Sequence, residues 1–250
     1  LIRVLSLRLR ESDNAMIRDL KEKNRQLSQA NEELKIAQAQ IVEKEKLEHE
    51  LKLARDIQAS ILPKNLLCLN GFEFGARMVP ASSVGGDLYD FIPISEDIVA
   101  IAIGDVSDKG IPAAMFMALF CSLLRAEVEH VTSPAEVLRR VNRHLLDLND
   151  AGMFVTALFG LLDLKKGEFS YARAGHEIPI LFDRDGKATQ IDWDQGQLLG
   201  FFPEPKLDVQ SVIIHQGSTL LLYTDGAFDA WNSEDARYGV DCLMETVGAN

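Results

Sequence analysis

Ile101-Ala102-Ile103-Gly104-Asp105-Val106-Ser107-Asp108-Lys109-Gly110-Ile111-Pro112-Ala113-Ala114-Met115 is the stretch on which the reading of the chain turns. The apolar run from Ile98 to Ile103 reads as a buried strand. It stops at Gly104-Asp105, and a helix is expected from about Ile111, with Pro112 suited to its first turn. Between strand and helix stand two carboxylates, Asp105 and Asp108. A carboxylate at a strand tip is held rigidly, and glycines beside it leave room for backbone carbonyls and an ion. Oxygen donors of this kind suit hard divalent ions such as Mg²⁺ or Mn²⁺. A plain strand-turn-helix link, with Asp108 capping the helix, would use the same residues.

Outward from this stretch the chain divides by composition. Residues 1–62 hold no glycine and are rich in Glu, Lys, Gln and Leu. Leu20, Leu27, Leu34 and Ile41 recur every seven residues, with Asn24, Asn31 and Gln38 at the other seam position. That is the pattern of a parallel two-stranded coiled coil whose Asn layers fix register at some loss of stability. After Ile41 the phase breaks, and Leu47, Leu51, Ala54, Gln58 and Ile61 follow a new frame. Val4, Leu5, Leu7 and Leu9 read as the end of an upstream domain, so 1–12 is taken as its last helix and 1–62 as a helical linker.

From Pro63 to Asn250 the pattern is that of a layered α+β domain. Strands are expected at Phe72–Val79, Phe91–Ile94, Ile98–Ile103, Phe154–Leu164, Phe169–Ala174, Ile178–Phe182, Ala188–Trp193, Leu207–Ile214 and Thr219–Tyr223. Asn70-Gly71 marks a turn, and Asp185-Gly186 a hairpin turn. A helix from Pro112 to about Glu129 is apolar on most sides. A second runs from Ser133-Pro134-Ala135-Glu136, read as a capping box, to about Leu148.

The net charge of −12 excludes a phosphate-backbone binder of the usual basic kind, so no nucleic-acid partner is expected. Cys68, Cys121 and Cys242 have no metal-ligand spacing, which favours a reducing, cytoplasmic compartment. No membrane span and no signal peptide are read in the sequence.

Three further polar knots stand at strand ends: Gly85-Gly86-Asp87 with Asp90, Ala174-Gly175-His176, and Thr224-Asp225-Gly226 with Asp229. Turns alone give no reason for Asp87, Asp105 and Asp225 all to be carboxylates beside glycine. Together with Gly104-Asp105-Val106-Ser107-Asp108-Lys109-Gly110, these motifs stand in the order found in PPM-type metal-dependent serine/threonine phosphatases. They most resemble the bacterial SpoIIE/RsbU-like branch, over roughly residues 55 to 247, including the run Ala54-Arg55-Asp56-Ile57-Gln58-Ala59-Ser60-Ile61-Leu62-Pro63.

The resemblance implies two packed antiparallel sheets flanked by helices and a site for two Mn²⁺ or Mg²⁺ ions. It makes Asp87, Asp105 and Asp225 the metal ligands and catalytic carboxylates, with Asp105 bridging and the carbonyl of Val106 adding a backbone oxygen. Asp90, Asp108 and Asp229 become outer or third-ion candidates, while His176 is read as a structural loop residue, with a role near the leaving oxygen as the alternative. The implied activity is hydrolysis of phosphoserine or phosphothreonine on a STAS-type anti-sigma-factor antagonist by a metal-activated water. An upstream sensor in the same chain and a homodimer through the coiled coil complete the expected assembly.

Two departures stand out. Asp108-Lys109 replaces the Gly-His of many relatives, and nothing after Asp229 matches the Asp-Asp-Ile-Thr type of motif that completes one ion's shell in the family. The domain is therefore expected to be truncated or its site incomplete. The competing reading is a docking module that binds its partner without efficient turnover. Against it, gathered carboxylates repel one another at a cost unless an ion offsets it.

Overall fold

The computed structural model describes residues 2–63, 68–69, 71–129, 133–191, 195–233 and 235–249. Asn70, the Trp193 end of one expected strand and the side chains of Val4, Leu5, Leu7 and Leu9 lie outside the described residues. The chain divides into two compact units, Leu1–Leu53 and Ala54–Asn250. The first is helical throughout, within α1 (Ile2–Ile61). Leu20, Leu27, Leu34 and Ile41 are all exposed on it.

The second unit is built on a five-stranded antiparallel sheet. Its strands are β3 (Leu88–Pro93), β4 (Ile98–Val106), β5 (Val155–Asp163), β6 (Glu168–Ala174) and β9 (Val209–Ile213), in the order β3-β4-β5-β6-β9. A three-stranded antiparallel sheet has the order β10-β7-β8, from β7 (Ile180–Phe182), β8 (Ala188–Gln190) and β10 (Thr219–Leu221). A short pair, β1 (Cys68–Leu69) with β2 (Phe72–Glu73), is the third sheet. The expected strand Phe72–Val79 is thus cut to its first two residues.

Alternation along β4 explains the continuous apolar run. Ala100, Ala102 and Val106 face α2 (Ile111–Val128) and α3 (Pro134–Asp147), packing with Phe116, Phe120, Leu124 and Leu138. Val99 and Ile101 face the other way, with Leu158, Phe169 and Tyr171, against Leu220 and Leu222 of the smaller sheet's edge. A strand buried on both faces has no polar side to show. Gly160 leaves space for the stacked rings of Phe169 and Tyr171, 5.4 Å apart; a Cβ there would lie 2.4 Å from the Phe169 ring. The smaller sheet's remaining face is covered by Val240, Leu243, Met244 and Val247 of α4 (Gly239–Gly248). The layers run helix pair, large sheet, small sheet, helix. This is the expected pair of antiparallel sheets flanked by helices.

α2 is long and apolar enough to cross a membrane by length and hydropathy alone. Its buried residues, from Ala113 through Phe120 to Val128, instead line the core beneath the large sheet. The hairpin at Asp185-Gly186 forms as expected: Gly186 has φ 78°, and the Asp183 carboxylate accepts from the Asp185 and Lys187 amides. The expected capping box does not form. Ser133 makes no side-chain cap bond, and Glu136 turns along the helix to Arg140 and Arg143. Arginines one and two turns ahead hold a carboxylate more strongly than a single backbone amide does.

Candidate metal centre

β3 and β4 pair with Leu88 opposite Gly104, so Asp87 stands one step beyond that pair, in line with Asp105. On the other side of β4, Asp105 is opposite Thr156 of β5. Asp87, Asp105 and Thr156 therefore form one row across three neighbouring strands. Asp225 comes from elsewhere: it opens the single turn of 3₁₀ helix Asp225–Ala227 that follows β10. The site thus lies where the ends of the large sheet meet a loop of the small one.

Glycine makes the approach possible. A Cβ on Gly86 would lie 2.6 Å from the carbonyl oxygen of Val106 and 3.0 Å from Asp105 Oδ1. Only a residue without a side chain leaves that carbonyl and that carboxylate facing an open cradle. Beyond it the backbone stays unusual, with φ 71° at Asp108 and 75° at Gly110. Asp108 is exposed and does not cap α2, whose N-cap is Gly110 without a side-chain bond.

The electrostatics are those of carboxylates crowded together. Burial pushes the Asp105 carboxyl up to about 7, and the charges of Asp87 and then Asp225 push the same way, against a hydrogen bond from the Val106 backbone. Asp87 is also raised, first by burial, with Asp225 adding to it and hydrogen bonds from Thr224 and Asp105 opposing it. The hydrogen bond between the two raises Asp105 and lowers Asp87. Among the described residues no three His, Cys, Asp or Glu side chains close around a common point as a metal-binding group. Asp87 and Asp105 meet directly; Asp225 acts on both through its charge. The donor set, three carboxylates with a backbone carbonyl beside a glycine cradle, nonetheless fits a hard divalent ion in its chemistry.

Other residues singled out in the sequence are placed differently. Asp90 is buried at 2 % exposure, and its Oδ2 accepts from Arg125 Nε at 2.6 Å. Arg125 also donates to the Ile61 carbonyl at 2.9 Å, tying β3, α2 and the end of α1 together. Asp229 pairs with Arg237 at 2.7 Å, whose guanidinium lies over the Phe228 ring. Both carboxylates thus have cationic partners of their own.

Residues the motifs did not point to also surround it. Gln58 donates to the Gly85 carbonyl at 2.6 Å and accepts from the Gly85 amide at 3.2 Å, while Arg55 holds the Ser83 carbonyl at 2.7 Å. The loop that carries Gly86 and Asp87 is therefore gripped from α1. Burial, and then Asp225, push the Glu177 carboxyl up. His176 is 3 % exposed, with Nδ1 3.1 Å from Thr156 Oγ1. Burial lowers its pKa to about 4; the positive charge of Arg173 adds to this, and a hydrogen bond with the Tyr223 backbone opposes it. A charged Arg125 in a mostly apolar helix was the one available hint of a buried acid; the partner of Thr156 leaves no trace in sequence.

The family model described as Stage II sporulation protein E (SpoIIE) matches residues 95–250, more than half of the chain. The chain belongs to the SpoIIE family. Among curated relatives, Protein IcfG of Synechocystis sp. is 34 % identical over 80 % of this chain and 36 % of its own length. Phosphoserine phosphatase RsbU of Bacillus subtilis is 29 % identical over 73 % of this chain and 54 % of its own. The chain spans about a third to a half of the curated relatives it matches. Among solved structures, the SiaA-PP2C domain of Pseudomonas aeruginosa superposes with a TM-score of 0.71 at 22 % identity, over 82 % of each chain. That likeness establishes the SpoIIE-family chain as a PP2C-like fold.

Proposed function

We propose that this SpoIIE-family chain is the catalytic part of a metal-dependent protein phosphatase acting on phosphoserine or phosphothreonine. The observation that carries this reading is the row of Asp87 and Asp105 beside the Gly86 cradle, with Asp225 acting on both. Asp87, Asp105, Asp225 and the Val106 carbonyl would hold two Mn²⁺ or Mg²⁺ ions, with Asp105 shared. When bound, such ions provide a hydroxide at neutral pH and neutralise charge on the phosphoryl oxygens. The protein's part is to fix the oxygens. Strands β3 and β4 set the spacing of Asp87 and Asp105, Gly86 keeps the Val106 carbonyl open, and Thr224 orients Asp87 by a hydrogen bond. No serine or cysteine nucleophile is needed, and the sequence offers no motif for one.

The similarity to RsbU, a phosphoserine phosphatase, supports the substrate class. A phosphorylated STAS-type protein is the substrate we infer, in a cytoplasmic partner-switching system controlled by a sensor upstream in the same protein. Residues 1–62 would act as the linker and dimerisation segment, and 63–250 as the phosphatase domain.

The test is Mn²⁺-dependent hydrolysis of p-nitrophenyl phosphate and of a phosphoserine peptide by the full-length protein, beside Asp105→Asn. We expect Asp105→Asn to lower turnover by on the order of 10³-fold or more while leaving the circular dichroism unchanged. More than about a tenth of wild-type activity in that variant would refute the shared-ligand assignment. A wild-type protein that binds a phosphorylated partner without hydrolysing it would favour the docking module.

A further inference from the structure

His176 touches neither Asp87, Asp105 nor Asp225, yet it is among the most buried polar side chains in the domain. Its Nδ1 lies 3.1 Å from Thr156 Oγ1, and that hydroxyl reaches back toward the Asp105 carbonyl at 3.5 Å. Thr156 is the residue opposite Asp105 across β4 and β5, so the ring is one contact removed from Asp105. Gly175 (φ 69°) bridges Ala157 and sets where the ring enters. The backbone of Tyr223 also acts on the ring through a hydrogen bond. Nε2 is buried with no partner at full hydrogen-bonding geometry among the described residues. Tyr223 is followed by Thr224, which holds Asp87, and then by Asp225. A neutral imidazole has one acceptor and one donor. When the Thr156 hydroxyl turns from the Asp105 carbonyl to donate to Nδ1, Nε2–H is left to donate toward the Tyr223 carbonyl.

We propose that His176 is a positioning residue, a two-armed clamp between the strand that carries Asp105 and the loop that carries Asp225. One arm is the Thr156 hydroxyl on the large sheet, the other the Tyr223 carbonyl on the small one. The clamp sets the distance at which Asp225 is presented to the Asp87–Asp105 pair. It rests on the reading of these three aspartates as the ligand set.

The experiment measures Mn²⁺ binding without substrate, from the loss of the free Mn²⁺ electron paramagnetic resonance signal, on the full-length protein. The variants are His176→Ala, Thr156→Val and the double variant, with Thr156→Val conserving shape and removing only the hydroxyl. Each single variant is expected to weaken Mn²⁺ binding about tenfold, as loss of an outer partner does in metal sites generally. The double variant is expected to be no worse than the weaker single, because both break one path. Val141→Ala, a core truncation in α3, controls for lowered stability and should keep wild-type affinity. Wild-type affinity in both single variants, losses that add, or an equal loss in Val141→Ala would overturn the clamp. Asp105→Asn separates the two readings. If it binds Mn²⁺ as wild type does, the ligand set falls and the clamp with it. If it loses Mn²⁺ while His176→Ala and Thr156→Val keep it, the clamp alone falls.

Discussion

At the scale of single residues, space matters as much as charge. Gly86 carries no functional group, yet a methyl there would sit 2.6 Å from the Val106 carbonyl, closer than any carbon–oxygen contact tolerates. The carbonyl is backbone at the end of β4, where Val106 is still paired with Val155, so it cannot swing away as a side-chain end would. Either the Gly86 loop must retreat, taking Asp87 with it, or the end of β4 must bend. Gly86→Ala is therefore expected to cut Mn²⁺ affinity by roughly tenfold or more, comparable to losing an outer partner of a metal site. The unfolding transition should shift little, because Gly86 lies in a loop and not in the core. Calorimetric titration with Mn²⁺ decides it: wild-type affinity in Gly86→Ala would mean that the Val106 carbonyl takes no part. Asp90 teaches the converse. It has the residue type and the spacing of a ligand, but a buried carboxylate with an arginine 2.6 Å away already has its partner.

That pair belongs to the scale of elements, because Arg125 joins three of them. It starts from α2, bonds Asp90 on β3 and reaches the carbonyl of Ile61 at the end of α1. Removing it leaves a carboxylate with 3 % side-chain exposure and no cation, whereas the guanidinium itself is 44 % exposed and partly screened. Arg125→Ala should therefore cost about 2–3 kcal/mol, toward the low end for a broken buried pair. Adding Asp90→Asn to it should recover part of that loss by removing the charge. Denaturant melts of the two variants check this, and equal stability of Arg125→Ala and wild type would show that Asp90 does not depend on the pair. The elements themselves were largely legible in sequence. β4, β5, β6, α2 and α3 are long, apolar and bounded by Gly, Pro or polar residues, so their ends fall within a few residues of where they were expected. Phe72–Val79 was not, because its aromatic residues serve a side-chain contact, Phe74 against Phe91, without a ladder. The three aspartates could be read because each stands at a strand end beside glycine. Their row with Thr156, and the contact of His176 with it, could not, since cross-strand register is a property of pairing and leaves no local pattern.

For the whole molecule the open matter is the first unit. Sixty residues of continuous helix in α1 include apolar side chains that a single chain leaves in water: Leu20 is 59 % exposed, Leu27 61 %, Leu34 56 % and Ile41 56 %. The ion pairs along it, such as Lys23–Asp19 and Arg25–Glu22, are surface pairs screened by solvent. They do not hold so long a helix together, because helical stability in proteins comes mostly from packing an apolar face. The seven-residue spacing of those four residues supplies such a face, and Asn24 and Asn31 at the alternate seam positions hydrogen-bond well only when two parallel chains are in register. Each leucine buried in the seam contributes about 1.5–3 kcal/mol, enough over four layers in two chains to offset the polar ones. The expected state is a parallel homodimer joined through residues 16–42. Replacing Leu27 and Leu34 by Asp puts four carboxylates into the seam of the pair and should give monomers whose phosphatase domain keeps its fold and its Mn²⁺ affinity. Light scattering at roughly tens of micromolar protein, with cysteine cross-linking at an Asn24→Cys seam position, measures both association and direction. A wild-type monomer at that concentration, or cross-links that form only between opposite ends of the helices, would refute the parallel pairing.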